Sequence, residues 1–204
     1  MMPVPDLRNR RDRKRQQALA HLTGTAIRLF EADGYGAVTM ERIAAEADVA
    51  KRTLYNHFAT KDAVLAHWIH VQLESDLKIL SAAIERQTTF VTRITGILNA
   101  SAEWWERHPT YLAPYLRFRF MNIEAAPSGD KADIADLFQV LIDAGQKSGE
   151  LRGDLPASQL APLFHYLHLG ALMRWLTVPG LALREEFAVV VNLFVEGAAG
   201  RDSP

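Results

Sequence analysis

The stretch Thr39–Phe58, TMERIAAEADVAKRTLYNHF, decides the fold. Its apolar residues do not alternate. Ile43, Ala44 and Ala47 share one face behind Thr39, and Leu54 and Phe58 share another behind Lys51, which predicts two short helices. Thr39 is a good N-cap for the first, since its hydroxyl can accept from an orphan backbone N–H. Asp48-Val49-Ala50 reads as a tight turn between them. Helices meet steeply only where small residues stand at the crossing, and Ala44 and Ala47 suit that. The second helix then presents Lys51, Arg52, Thr53, Tyr55, Asn56 and His57 outward. That set is rich in donors, carries one aromatic ring, and has the length of a major groove. A solvated face on a helical hairpin has the same pattern, so the residues alone leave both readings open.

Working outward, Leu19, Leu22, Ala26, Leu29 and Phe30 form a helical stripe that stops at Asp33-Gly34-Tyr35-Gly36. Gly34 is the expected C-terminal residue of that helix, because glycine takes left-handed dihedrals without strain. Thr60 is the expected N-cap of a further helix from Lys61 past Leu77, with Asp62 in its first turn, where the helix dipole favours an anion. Helical segments follow at 88–107, 109–121, 131–147, 157–177 and 183–198, punctuated by proline and glycine. The fold class is all-α. The expected division is a basic amino-terminal tail over 1–12, a helix-turn-helix domain over 13–60 and a larger helical domain over 61–204.

The 204 residues hold 23 basic and 24 acidic side chains, and no cysteine. Disulfides, thiolate metal sites and a cysteine nucleophile are therefore excluded. No apolar run approaches the ~20 residues of a membrane span, so a cytoplasmic protein with no membrane partner is expected. The net charge of −1 hides an asymmetry: residues 1–62 carry 11 basic and 8 acidic groups, the rest 12 and 16. The amino-terminal end is thus the one suited to a polyanion. The Arg8–Arg15 run has two readings, an arm for the minor groove or flanking phosphates, and a solubilising helix extension.

From about Thr25 to Leu65 the chain resembles the DNA-binding domain of the tetracycline-repressor (TetR) family of bacterial transcriptional regulators. The stretch AIRLFEADGYGAVTMERIAAEADVAKRTLYNHFATKDAVL carries the likeness through Leu29-Phe30, Gly34-Tyr35, Thr39, Ile43-Ala44, Val49, Thr53-Leu54-Tyr55, Phe58 and Lys61. The resemblance implies that Thr39, Tyr55, His57 and Lys61 meet phosphates, contacts that position without specifying sequence. It puts Glu41, Arg52, Thr53 and Asn56 where base edges are read, with Lys51 beside them. Glu41 is tolerated near phosphates only if it accepts from cytosine or pairs with Arg52. Two departures stand out. The family has glycine where this chain has Asp48, which tolerates a left-handed turn, and serine where it has Ala50, which forfeits an N-cap.

The same resemblance implies a homodimer on a palindromic double-stranded DNA operator, and repression relieved by a small-molecule effector. The final helix pair is the expected dimer interface, through Leu163, Leu167, Gly170, Arg174, Phe187, Val191 and Phe194; packing within one chain is the alternative. Trp104, Trp105, His108, Tyr111, Tyr115, Arg117, Phe118 and Met121 have the mixed content of a ligand pocket, with His165 and His168 facing it; aromatic core filling is the alternative. Arg117 or Arg119, if turned inward, would favour an anionic ligand. The i, i+3 pairs His67/His70 (with Glu74) and His165/His168 lack thiolates and a third certain ligand, so no metal and no cofactor is expected. No nucleophile–base pair, phosphate loop or dinucleotide fingerprint occurs, so the chain is read as a regulator and not an enzyme. A helical enzyme or interaction protein using the aromatic region without operator binding is the competing reading.

Overall fold

The structure, a computed structural model, describes residues 7–85, 88–121 and 134–198. These residues form α-helices and 3₁₀ turns and no strand. The chain divides into two compact units, Met1–Val71 and Gln72–Pro204. The division falls inside a helix and not at residue 60. The first turns of that helix are held by the amino-terminal unit, as described below.

In the first unit, α1 spans Leu7–Asp33, so the basic run from Arg8 is continuous helix and not a separate tail; residues 1–6 lie outside the described residues. Gly34 ends α1 at φ 82°, its N–H donating to Phe30 O at 3.0 Å. A 3₁₀ turn (Tyr35–Ala37) leads to α2 (Met40–Glu46) and α3 (Lys51–His57), and α4 runs from Lys61 to Glu85. Leu22, Ala26, Phe30, Ile43, Ala44 and Leu54 are all buried, which makes the stripe on α1 the floor on which the two short helices rest. Burying the leucine, isoleucine and phenylalanine side chains supplies roughly 1.5–3 kcal/mol each, and helices of seven residues need it, because they are too short to persist alone.

In the second unit, α5 (Phe90–Arg107), α6 (Leu112–Met121, after a 3₁₀ turn at Pro109–Tyr111), α7 (Ile134–Lys147), α8 (Ala157–Thr177) and α9 (Leu183–Ala198) pack as a bundle. α8 packs against α7 and α9, and α5 against α9. Thr89 and Thr92 form a reciprocal capping box on α5, and Glu150 from the loop after α7 accepts from Phe90 N at 2.7 Å. That loop comes close enough that a Cβ on Gly145 would stand 3.0 Å from Leu151. No helix of the described residues is long and apolar enough to cross a membrane.

Candidate nucleic-acid interface and effector region

The α2–α3 turn is built from local backbone chemistry. Ala47 N donates to Ile43 O at 2.9 Å and Val49 N to Ala44 O at 3.0 Å, and between them Asp48 sits at φ 52°. Asp48 is the one non-glycine residue with positive φ among the described residues, and a short polar side chain is what that conformation tolerates. α3 then starts at Ala50 with no side-chain cap, the defect foreseen from the missing serine. His21 on α1 adds a support that sequence reading missed. Its Nε2–H donates to Ala47 O at 3.0 Å, across 26 residues, so no local signal marks it.

On α3 the inward residues are Leu54 and, at its end, Phe58, while Lys51, Arg52, Thr53, Tyr55 and Asn56 are exposed and His57 is half-buried. Thr39 caps α2 as expected, accepting from Arg42 N at 3.2 Å. Glu41 has a partner other than Arg52. Tyr55 Oη donates to Glu41 Oε1 at 3.3 Å, so the carboxylate pairs with tyrosine and not with Arg52. Desolvation, reinforced by the Glu41 charge and this bond, raises the Tyr55 pKa and keeps the hydroxyl a donor.

Lys61 is held by the loop before α2. Its Nζ donates to Tyr35 O at 2.8 Å, Val38 O at 3.0 Å and Gly36 O at 3.4 Å, and lies 4.5 Å from the centre of the Tyr35 ring. An ammonium has three protons, and three carbonyls occupy them. Tyr35 Oη in turn donates to Asp62. The first turn of α4 is thereby clasped to the loop that leads into Thr39. Phe58 also packs against His67 with the rings tilted, 5.4 Å between ring centres.

In the second unit the aromatic segment divides by helical phase. Trp105, Tyr111 and Tyr115 are buried, whereas Trp104, His108 and Phe118 are half-buried. His108 stacks on Trp104 at 4.5 Å and donates from Nδ1 to Trp104 O at 2.8 Å. Two expected lining residues are at the surface. Met121 is 79% exposed at the end of α6, and Arg117 is exposed because α6 turns Tyr115 and Leu116 inward. Arg119 is the arginine turned in, and its Nη2 donates to His165 Nε2 at 2.8 Å.

His165 and His168 are buried on α8. Burial, reinforced by the neighbouring His165 and Arg119, lowers the His168 pKa to about 3. The unfolded chain therefore takes up this proton more readily than the folded one. The stability that neutral His168 permits is present above about pH 6.5 and is lost as pH falls towards 3. Among the described residues no group of three potential ligands is placed to hold a metal ion.

The expected dimer residues also divide. Phe187, Val191 and Phe194 are buried inside their own unit, Phe187 against His168 at 5.1 Å and Phe194 against Phe164 at 4.8 Å. They fill the core because the apolar stripe on α9 is wide enough for two faces, and α5 and α8 cover one of them. The other face is exposed: Leu163, Tyr166, Leu167 and Met173 on α8, and Val189 and Leu193 on α9. Arg174 borders it and pairs with Glu186 at 2.7 Å.

A capped short helix, a tight turn and a second helix with its polar face open define a helix-turn-helix unit. Residues 22–67 match the model of bacterial regulatory proteins of the tetR family, and the amino-terminal unit is of that family. Over 52 residues the chain is 38% identical to a Mycobacterium tuberculosis protein named as a mycofactocin biosynthesis transcriptional regulator, MftR; the match spans 26% of either chain, about a quarter of that relative's length. The fold is similar to that of Thermus thermophilus FadR, a TetR-family repressor in complex with lauroyl-CoA, with a TM-score of 0.73 at 24% identity over 91% of this chain and 97% of that one. Bacillus subtilis FadR in complex with stearoyl-CoA is similar at a TM-score of 0.59 and 14% identity, over 87% of this chain and 97% of that one.

Proposed function

We propose that the chain is a dimeric, ligand-responsive DNA-binding regulator that represses by occupying a two-fold operator and leaves it when a small-molecule effector binds the carboxy-terminal unit. It acts by binding and not by catalysis. The observation that carries this reading is the polarity of α3: Leu54 is fully buried while Arg52, Thr53 and Asn56 face outward. In a major groove Arg52 suits guanine and Asn56 adenine, each through a bidentate contact. Tyr55, Thr39, Lys51 and His57 hold the backbone, and Lys61 acts through the clasp.

The exposed α8–α9 face supports pairing. Leu163, Leu167, Val189 and Leu193 are each at least 40% exposed, and an apolar surface of that kind marks an interface. Two-fold pairing sets recognition helices one DNA turn apart, ~34–36 Å. α4 is the element common to both units, since it begins in the clasp on the loop before Thr39 and continues into the second unit. An effector that shifts α4 alters the spacing, and coupling of this size is typically 1–3 kcal/mol.

The test begins with selection of an operator from random duplex DNA, followed by anisotropy titration. Arg52→Ala is expected to weaken binding roughly 10–100-fold and to relax preference at one base pair. Lauroyl-CoA, the ligand held by the Thermus relative, is the first effector probe and is expected to release the operator. Full affinity in Arg52→Ala overturns the assignment of α3.

A further inference from the structure

We propose that His168, supported by the Arg119–His165 pair, is the point at which an otherwise apolar effector is recognised through its carbonyl oxygen. The inference rests on the effector reading above and names the chemistry of that site.

His168 stands in the middle of α8 with 3% exposure. Its ring stacks on Phe187 at 5.1 Å and 27°, and meets the edge of Phe138 at 5.8 Å and 74°. Neither ring nitrogen has a hydrogen-bond partner among the described residues. Folded proteins rarely leave both polar atoms of a buried side chain unsatisfied, because desolvation is then uncompensated. Phenylalanine would stack between these rings without that cost. The imidazole therefore needs an account beyond packing, and a ligand that meets its nitrogens supplies one.

The neighbouring groups select the ligand. A guanidinium only donates, so the 2.8 Å contact from Arg119 puts the lone pair of His165 on Nε2 and its proton on Nδ1. His165 stands 6.0 Å from His168 between ring centres. Burial keeps His168 neutral, and one of its nitrogens carries a proton. The His168 ring thus lies against Phe138 and Phe187, with the Arg119–His165 pair beside it. Such a setting attracts the negative end of a dipole, the oxygen of a carboxylate, ketone or thioester, and repels an ammonium. A metal ion fits poorly, since Arg119 already uses the His165 lone pair.

The experiment uses the full chain and three probes of equal chain length, kept below their aggregation limits: dodecanoate, 2-dodecanone and dodecylammonium. Calorimetry and thermal shift are read for the wild type, His168→Phe and His168→Gln. Dodecanoate and 2-dodecanone are expected to bind, with dodecylammonium at least roughly tenfold weaker. His168→Phe is expected to melt at the same temperature or higher without ligand, and to lose roughly tenfold or more in affinity for the carbonyl probes. His168→Gln keeps a donor and is expected to retain part of the affinity, which covers the case in which the phenylalanine variant misfolds.

Equal binding of all three probes, full affinity in His168→Phe, or no binding of either carbonyl probe overturns the assignment. Operator release by lauroyl-CoA, measured on the same samples, separates the two readings. If the wild type and His168→Phe release alike, the effector reading survives and this one does not.

Discussion

Leu193→Arg is expected to leave the chain folded but monomeric, and to cut operator affinity by roughly a thousandfold or more, the usual margin between specific and non-specific binding. Leu193 is 58% exposed, so its removal takes nothing from the core. Surface changes of this kind alter folding stability by about 0.5 kcal/mol or less. At a two-fold interface the effect is different, because each substitution occurs twice. Two guanidinium groups would enter the apolar surface formed by Val189, Leu163 and Leu167, and desolvating each costs several kcal/mol unless it is paired. A monomer reads one half-site and cannot combine two recognition helices. Analytical ultracentrifugation and anisotropy titration check the two halves of the expectation. A dimer that persists with unchanged affinity would place the interface elsewhere.

Lys61→Met is expected to destabilise the chain by about 1.5–3 kcal/mol and to weaken operator binding while leaving its salt dependence unchanged. Methionine keeps the length of the side chain but has no donor for Tyr35, Gly36 and Val38. Val38 directly precedes Thr39, the cap of α2, so loosening the clasp disturbs the entry to the helix-turn-helix. Thermal unfolding is expected to fall by roughly 2–4 °C per kcal/mol for a chain of this size. The salt slope identifies the mechanism. Removing a phosphate contact lowers the slope of log K against log salt by about one, whereas removing an internal clasp does not. A lowered slope would return Lys61 to the DNA backbone.

Much of the amino-terminal unit was legible because its signals are local. Thr39 as cap, Gly34 at positive φ, Asp48 in a left-handed turn and the inward Leu54 each depend on a residue and its near neighbours. The partners of Glu41 and Lys61 were not legible, since both lie on other elements. The His21 bond to Ala47 was missed for the same reason. In the carboxy-terminal unit the helices were read well and their faces less so. Periodicity marks Phe187, Val191 and Phe194 as apolar, as it does Val189 and Leu193, but spacing is equally consistent with either set facing a partner.

The amino-acid sequence by itself determined an all-α chain with a helix-turn-helix near its start, because capping, turn chemistry and the helical period act within a few residues. Only the tertiary structure decided which arginine of α6 turns inward, which stripe of α9 is core, and which backbone carbonyls hold Lys61. Those outcomes depend on which surface each helix meets, and distances between residues far apart in the chain follow from packing, which a linear pattern does not contain.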